Sequence, residues 1–113
     1  MDVNERLSGE VAILELGGRL TVNDHPGLLK EAVAGALQRG ARHVLLDLSG
    51  VRYIDSTRLG ELIAAHITVS RLGGRLKLVA TPDRIVELLS LAGLTGIFER
   101  YATTDEAQAS LSN

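Results

Sequence analysis

The alternation of apolar and polar positions along the chain predicts strands that take turns with helices. Residues 43–48 are almost continuously apolar, which is typical of a strand covered on both faces. Residues 28–37 and 59–67 instead place apolar side chains at intervals of three and four, as on one face of a helix. The predicted order is β-β-α-β-α-β-α-β-α, with strands at 3–7, 11–18, 43–48, 75–80 and 97–102 and helices at 23–40, 57–71, 81–93 and 103–111.

Turn and capping residues mark the boundaries of these segments. Residues 8–10 (Ser-Gly-Glu) predict a hairpin loop between the first two strands. Asn23 or Asp24 can cap the first helix, because short polar side chains accept hydrogen bonds from free helix amides. Thr81 is the predicted N-cap of the third helix, with Pro82 as its first residue.

Strands that alternate with helices join through right-handed crossovers and lie parallel, whereas the first hairpin is antiparallel. We therefore predict an α/β fold with a mixed, mostly parallel β-sheet of about five strands and about four helices. With 113 residues, the chain fits one domain over residues 1–113.

Composition narrows the classes of function. Hydrophobic residues make up 45% of the chain and aromatic residues only 3%, which predicts an aliphatic core and disfavours base stacking on nucleic acid. The net charge is -2 and no basic block occurs, so binding to nucleic acid or to a membrane surface is not expected. The absence of cysteine excludes disulfides and thiolate chemistry. The chain shows no signal peptide or membrane-spanning run, and we expect a cytoplasmic protein.

The segment VRYIDSTRLGEL, residues 51–62, places three small polar residues where a strand-like run meets a helix-like pattern: Asp55, Ser56 and Thr57. Sites in open α/β sheets gather beyond the carboxyl ends of strands. Ser56 lies at or near the N-cap, where free amides and the helix dipole would favour a phosphate. The alternative is ordinary capping, since Ser and Asp are common N-cap residues. The residues alone leave both interpretations open.

Residues 47–62, DLSGVRYIDSTRLGEL, resemble the signature of the STAS domain found in bacterial anti-sigma factor antagonists. GGRL before the first helix, GGRLKLV after the second and LLSLAGLTGIF near the end extend the resemblance over nearly the whole chain. The matching positions of the motif are Asp47, Leu48, Ser49, Val51, Ile54, Asp55, Ser56, Leu59, Gly60 and Leu62.

The resemblance implies a phosphorylation-switched binding module. In this family the serine after the motif aspartate, here Ser56, is phosphorylated by a partner that is both serine kinase and anti-sigma factor. The unphosphorylated antagonist sequesters that partner, the phosphorylated form releases it, and a serine phosphatase restores binding. We expect no enzymatic activity, no cofactor, and a monomer or weak dimer. The alternative within the family is an unphosphorylated subunit of a lipid-transport complex or signalling scaffold.

The resemblance also implies a partner-binding surface around Ser56. Its predicted members are Thr21, Asp24, Asp55, Thr57, Arg58, Leu59 and Gly60. Two positions depart from the family pattern: Arg58 replaces a common glycine, and Thr21 stands where aspartate is frequent. Arg58 is either a solvated residue paired with Asp55 or Glu61, or a bulky group that narrows the choice of partner.

Other chemistry is disfavoured by spacing. A phosphoacceptor receiver would need an acidic pair after its first strand and a lysine after its last, and neither occurs. The histidines lack metal-ligand spacing, and His66, on a mostly apolar helix face, is predicted to be partly buried. The residues considered for these roles are Asp24, Asp47, Asp55, His25, His43 and His66.

Overall fold

The structure, a computed structural model, describes residues 2–20 and 27–111, the side chains of residues 19 and 20 excepted. Its elements follow the predicted order of strands and helices. The strands are β1 (Asp2–Ser8), β2 (Val11–Leu20), β3 (His43–Ile54), β4 (Leu76–Val79) and β5 (Arg100–Tyr101). The helices are α1 (Leu28–Gln38), α2 (Ser56–Arg71), α3 (Asp83–Leu91) and α4 (Thr104–Ser110).

Within the described residues, the five strands form one sheet in the order β1-β2-β3-β4-β5. β1 and β2 are antiparallel and pair from Ser8 and Val11 outward, so Gly9 and Glu10 form the tight turn. Gly9 has a φ of 59°, which glycine adopts without steric cost. The β2–β3, β3–β4 and β4–β5 pairs are parallel. The predicted mixed, mostly parallel sheet is confirmed.

The core is mostly aliphatic, and its two larger clusters lie on opposite faces of the sheet. Leu14, Leu46 and Leu78 are aligned across β2, β3 and β4 and pack with the buried faces of α1, α2 and α3. Successive strand residues point to opposite faces. Ile13 and Leu45 therefore face the other way, where they pack with Ala107 of α4.

Two strand predictions differ from the structure in length. β3 continues to Ile54 instead of ending at residue 48, because its second half pairs with the end of β2, including Gly50 opposite Gly17. β5 is confined to Arg100–Tyr101, whereas 97–102 was predicted. Phe98 lies in the predicted strand but contributes its buried ring to the core without pairing in the sheet.

The helix caps also differ from prediction. Pro82, not Thr81, is the N-cap of α3, and its extended ψ of 146° lets its carbonyl accept hydrogen bonds from the first-turn amides. The prediction that Thr81 caps this helix is therefore wrong. α1 begins at Leu28, after Gly27, which has a φ of 80°. The proposed caps Asn23 and Asp24 lie outside the described residues.

The helices of the described part were compared with the length and hydropathy that a bilayer crossing requires. None of them meets both requirements.

Candidate functional site

The junction between β3 and α2 is a single residue, Asp55. Ile54 ends β3 as a buried core residue, and Leu59 and Leu62 bury the first turns of α2 in the same cluster. Because both sides of the junction are anchored in the core, its polar side chains are held in place at the carboxyl end of the central strand.

Asp55 is the N-cap of α2. Its backbone is extended (φ -93°, ψ 174°), and its carboxylate Oδ1 accepts a hydrogen bond from the backbone amide of Arg58 at 2.8 Å. Its carbonyl accepts from the amide of Leu59 at 3.0 Å. Asp55 therefore performs the ordinary capping function.

Ser56 is the first residue of α2 and is exposed. Asp55 is the N-cap of α2, so Ser56 is not needed to cap the helix. Within the described part of the chain, no hydrogen bond engages the Ser56 hydroxyl. The first amides of a helix have no acceptor inside it, so a negative group on Ser56 would meet donors and the positive end of the dipole. The geometry suits a modified serine.

Arg58 is enclosed within the fold. Its side chain is 0% exposed, and Nη1 contacts the two carboxylate oxygens of Glu61 at 3.0 and 3.1 Å. Of the alternatives left open for Arg58, the pairing with Glu61 occurs, but the side chain is buried and not solvated. A fully buried side chain cannot meet a partner while it keeps this position. The placement of Arg58 on the partner-contact surface stays a prediction, and it would require the side chain to leave this position.

The remaining predicted site residues differ in how far their side chains are exposed to solvent. Thr57 and Gly60 are exposed, and Asp55 is half-buried. Leu59 is a core residue that fixes the start of α2. Ser56 and Gly60 are four residues apart and share one face of the helix. Thr21 and Asp24 lie outside the described residues.

An apolar groove, which sequence reasoning missed, lies beside Ser56 between the start of α2 and α3. Its volume is about 680 Å³, and Asp55 and Ser56 form part of its wall. Leu91 at the end of α3 is 81% exposed, unusually so for a leucine at the edge of such a groove. The sequence signal was a leucine at the end of the third helix, but the pattern could not show that it faces the junction. Its apolar lining is Tyr53, Ile54, Leu59, Ile85, Leu88, Leu91 and Ala92.

The described acidic and histidine residues do not gather into a metal site. Among the described residues, no group of three or more His, Asp or Glu side chains could hold a metal ion. His66 is partly buried, as predicted, and packs edge-on against Phe98 with 5.3 Å between ring centroids. His25 lies outside the described residues.

Comparison with known protein families gives the class of protein. The family described as "Mlab, STAS domain" matches residues 3–99. The chain therefore belongs to the STAS domain family, as the motif at residues 47–62 implied.

The relatives within that class are named as anti-sigma factor antagonists. The chain is 29% identical over 92 residues to the anti-sigma-B factor antagonist of Bacillus subtilis, covering 81% of this chain and 83% of the relative. It is 31% identical over 81 residues to the anti-sigma-B factor antagonist of Staphylococcus aureus (strain NCTC 8325), covering 72% and 74%. These names favour the antagonist over the lipid-transport alternative.

Solved structures share the fold. A crystal structure of a candidate anti-sigma factor antagonist from Thermotoga maritima superposes with a TM-score of 0.88 at 28% identity, over 98% of this chain and 95% of that chain. The antagonist SpoIIAA in its unphosphorylated form gives a TM-score of 0.77 at 17% identity, over 97% and 96%. SpoIIAA from Bacillus in its phosphorylated form gives 0.73 at 16% identity, over 97% and 99%. The likeness to SpoIIAA concerns the fold.

Proposed function

We propose that this chain is an anti-sigma factor antagonist whose binding is switched by phosphorylation of Ser56. The unphosphorylated chain sequesters a partner that is both anti-sigma factor and serine kinase, and phosphorylation releases that partner. A serine phosphatase restores binding. One observation carries the proposal: Asp55 caps α2, which leaves Ser56 exposed as its first residue.

A phosphate at Ser56 acts through local charge. The helix dipole favours an exposed negative charge at this position by about 0.3–1 kcal/mol. The neighbouring Asp55 carboxylate opposes it, so the two contributions nearly cancel in stability. The surface meanwhile gains almost two negative charges, which repel a partner surface that suits the free hydroxyl. The unphosphorylated and the phosphorylated structures of SpoIIAA both superpose on this chain, with TM-scores of 0.77 and 0.73, which supports a switch that keeps the fold.

The proposed partner surface combines the exposed start of α2 with the apolar groove. Asp55, Thr57 and Gly60 surround Ser56, and Leu91 lies across the groove. Apolar area in such a groove supplies affinity, while the serine at its edge places the switch inside the contact. Thr21 and Asp24 belong to the proposed surface by family resemblance. The chain thus acts in the cytoplasm as a binding module and performs no catalysis.

Phosphosite mapping tests the proposal. Each serine-kinase anti-sigma factor of the cell that encodes this chain is purified and incubated with the chain and Mg-ATP. Intact mass and peptide fragmentation then locate any phosphate. We expect one phosphate on Ser56, lost in Ser56→Ala and retained in the matched control Thr57→Ala. Phosphate on Thr57, or no phosphorylation by any of these kinases, would contradict the proposal.

A further inference from the structure

A polar cavity lies at the opposite end of β3 from Ser56. It has a volume of about 470 Å³ and is formed where β3 and β4 begin, against the end of α4. Two arginines and a histidine face it, and we call it the basic cavity. Its lining is Arg42, His43, Gly73, Arg75, Ser110 and Leu111.

Arg42 is held on several sides. Its amide donates to the carbonyl of Glu10 at 2.7 Å, and its own carbonyl lies so close to Gly74 that a Cβ there would come within 1.7 Å. Its Nε donates to the carbonyl of Gly73 at 3.1 Å. Over residues 2–20 and 27–111, no carboxylate pairs with the Arg42 guanidinium. The guanidinium is exposed and tied to the backbone by the hydrogen bond to Gly73, and its terminal amino groups carry a charge that no carboxylate of these residues pairs with.

The imidazole of His43 is oriented as a donor. Its Nδ1 accepts a hydrogen bond from the amide of Arg75 at 3.1 Å, which places the proton of the neutral ring on Nε2. Burial lowers the pKa of His43 and the charge of Arg42 lowers it further, against an opposing contribution from Glu10. Arg75 and Lys77 lower this pKa by smaller amounts. These contributions favour the neutral ring, in surroundings where positive charge predominates.

Lys77 is a buried cation next to Ser110, which lines the basic cavity. Its side chain is buried, and Nζ donates to Ser110 Oγ at 2.7 Å. Glu99 lies 2.9 Å from Lys77 Nζ and 3.5 Å from Arg75 Nη1. One carboxylate is thus shared by two cations and neutralises only one of them. Glu10 adds a second carboxylate near His43. The three cations Arg42, Arg75 and Lys77 still outnumber the two carboxylates.

We propose that the basic cavity binds a phosphate group, either as inorganic phosphate or on a small phosphorylated metabolite. Guanidinium groups match phosphate oxygens with paired hydrogen bonds, and the Nε2–H of His43 adds a neutral donor. Because Arg42 and His43 are already tethered to the backbone, little side-chain freedom is lost on binding. The volume lies within the range of small-molecule sites. This site is separate from Ser56 and from the partner surface.

Titration of the isotopically labelled chain with inorganic phosphate tests the site, with chloride adjusted to keep ionic strength constant. Two-dimensional amide spectra should show saturable shifts at Gly73, Arg75 and Leu111, with a Kd of about 1 mM or tighter. Arg42→Gln and Arg75→Gln should each weaken binding at least about fivefold, because charged hydrogen bonds are lost. The matched control Arg84→Gln, an exposed arginine on α3, should leave the Kd unchanged.

A second arm separates the two sources of phosphate. Glucose 6-phosphate that binds more tightly than inorganic phosphate indicates a metabolite site, and equal affinity indicates that the phosphate group alone is recognised. Arg42→Lys should give an intermediate Kd, because it keeps the charge but loses the paired geometry. Shifts that do not saturate, or that weaken equally in all three glutamine variants, would overturn the proposal. The spectra themselves report whether each variant is folded.

Discussion

The first turn of α2 has two faces that the family motif does not distinguish. Ser56, Thr57 and Gly60 form the exposed face, whereas Arg58 and Leu59 form the buried face. A charged side chain two residues after the serine would ordinarily be expected in solvent. Here it is the serine that meets solvent and the arginine that is enclosed with Glu61. A motif match therefore identifies positions, while the structure adds which of their side chains are exposed and which are buried in the turn.

Removal of Arg58 should produce the largest effect on stability. Arg58→Ala deletes a buried side chain and leaves the half-buried Glu61 without this ion pair, which should cost about 3 kcal/mol. Urea unfolding measures the loss, and affinity for the kinase, corrected for the folded fraction, should stay near the wild-type value. A loss below about 0.5 kcal/mol, the size typical of surface substitutions, would show that the two faces do not differ.

Asp55 caps the first turn of α2, which carries both faces. Its removal should destabilise the chain less than the removal of Arg58. Asp55→Ala removes the acceptor for the Arg58 amide and should destabilise the chain by about 1 kcal/mol. Asp55→Asn keeps a capping oxygen and should cost only a few tenths of a kcal/mol. Both values come from urea unfolding. Equal losses in the two variants would mean that the carboxylate charge, not the cap, stabilises the turn.

Gly60 tests the exposed face alone. A Cβ built at this position meets no atom within 4 Å, so alanine fits without a clash. Gly60→Ala should stabilise the helix by up to about 1 kcal/mol through its higher helix propensity. Under the proposed function it should also weaken kinase binding, because the added methyl group prevents close approach. Unchanged affinity in a titration against the kinase would remove Gly60 from the partner surface.

Phosphorylation of Ser56 should have the smallest effect on stability. The dipole and Asp55 act in opposite directions, so the unfolding free energy should change by less than about 1 kcal/mol. Urea unfolding of the chain before and after phosphorylation measures this. A large drop in the midpoint would show that release operates through unfolding of the site.

Pattern alone predicted the order of elements and the mixed sheet, because apolar periodicity reports which faces are buried. It missed the second half of β3, where Ser49, Gly50 and exposed polar residues interrupt the apolar run although the backbone still pairs with β2. It placed the cap of α3 at Thr81 because side-chain capping is a local rule, whereas here the Pro82 backbone makes the hydrogen bonds.

The sequence predicted where the candidate site lies along the chain, but not which of its side chains are buried or that a groove lies beside it. The motif located Asp55 and Ser56, since both lie at the strand–helix boundary that periodicity reveals. The burial of Arg58 and the groove at Leu91 depend on how α2 and α3 pack in three dimensions, which one-dimensional spacing does not contain.

The central claim is tested most directly by the affinity of the kinase for the chain in its two covalent states. Isothermal titration with an ATP analogue that cannot transfer phosphate gives the Kd of the unphosphorylated chain, and the homogeneous Ser56 phosphoprotein is titrated alongside. We predict that phosphorylation raises the Kd at least about tenfold, which is 1.4 kcal/mol or more of binding free energy. Ser56→Ala should bind like the unphosphorylated chain. Equal Kd values for the two forms would contradict a switch at Ser56.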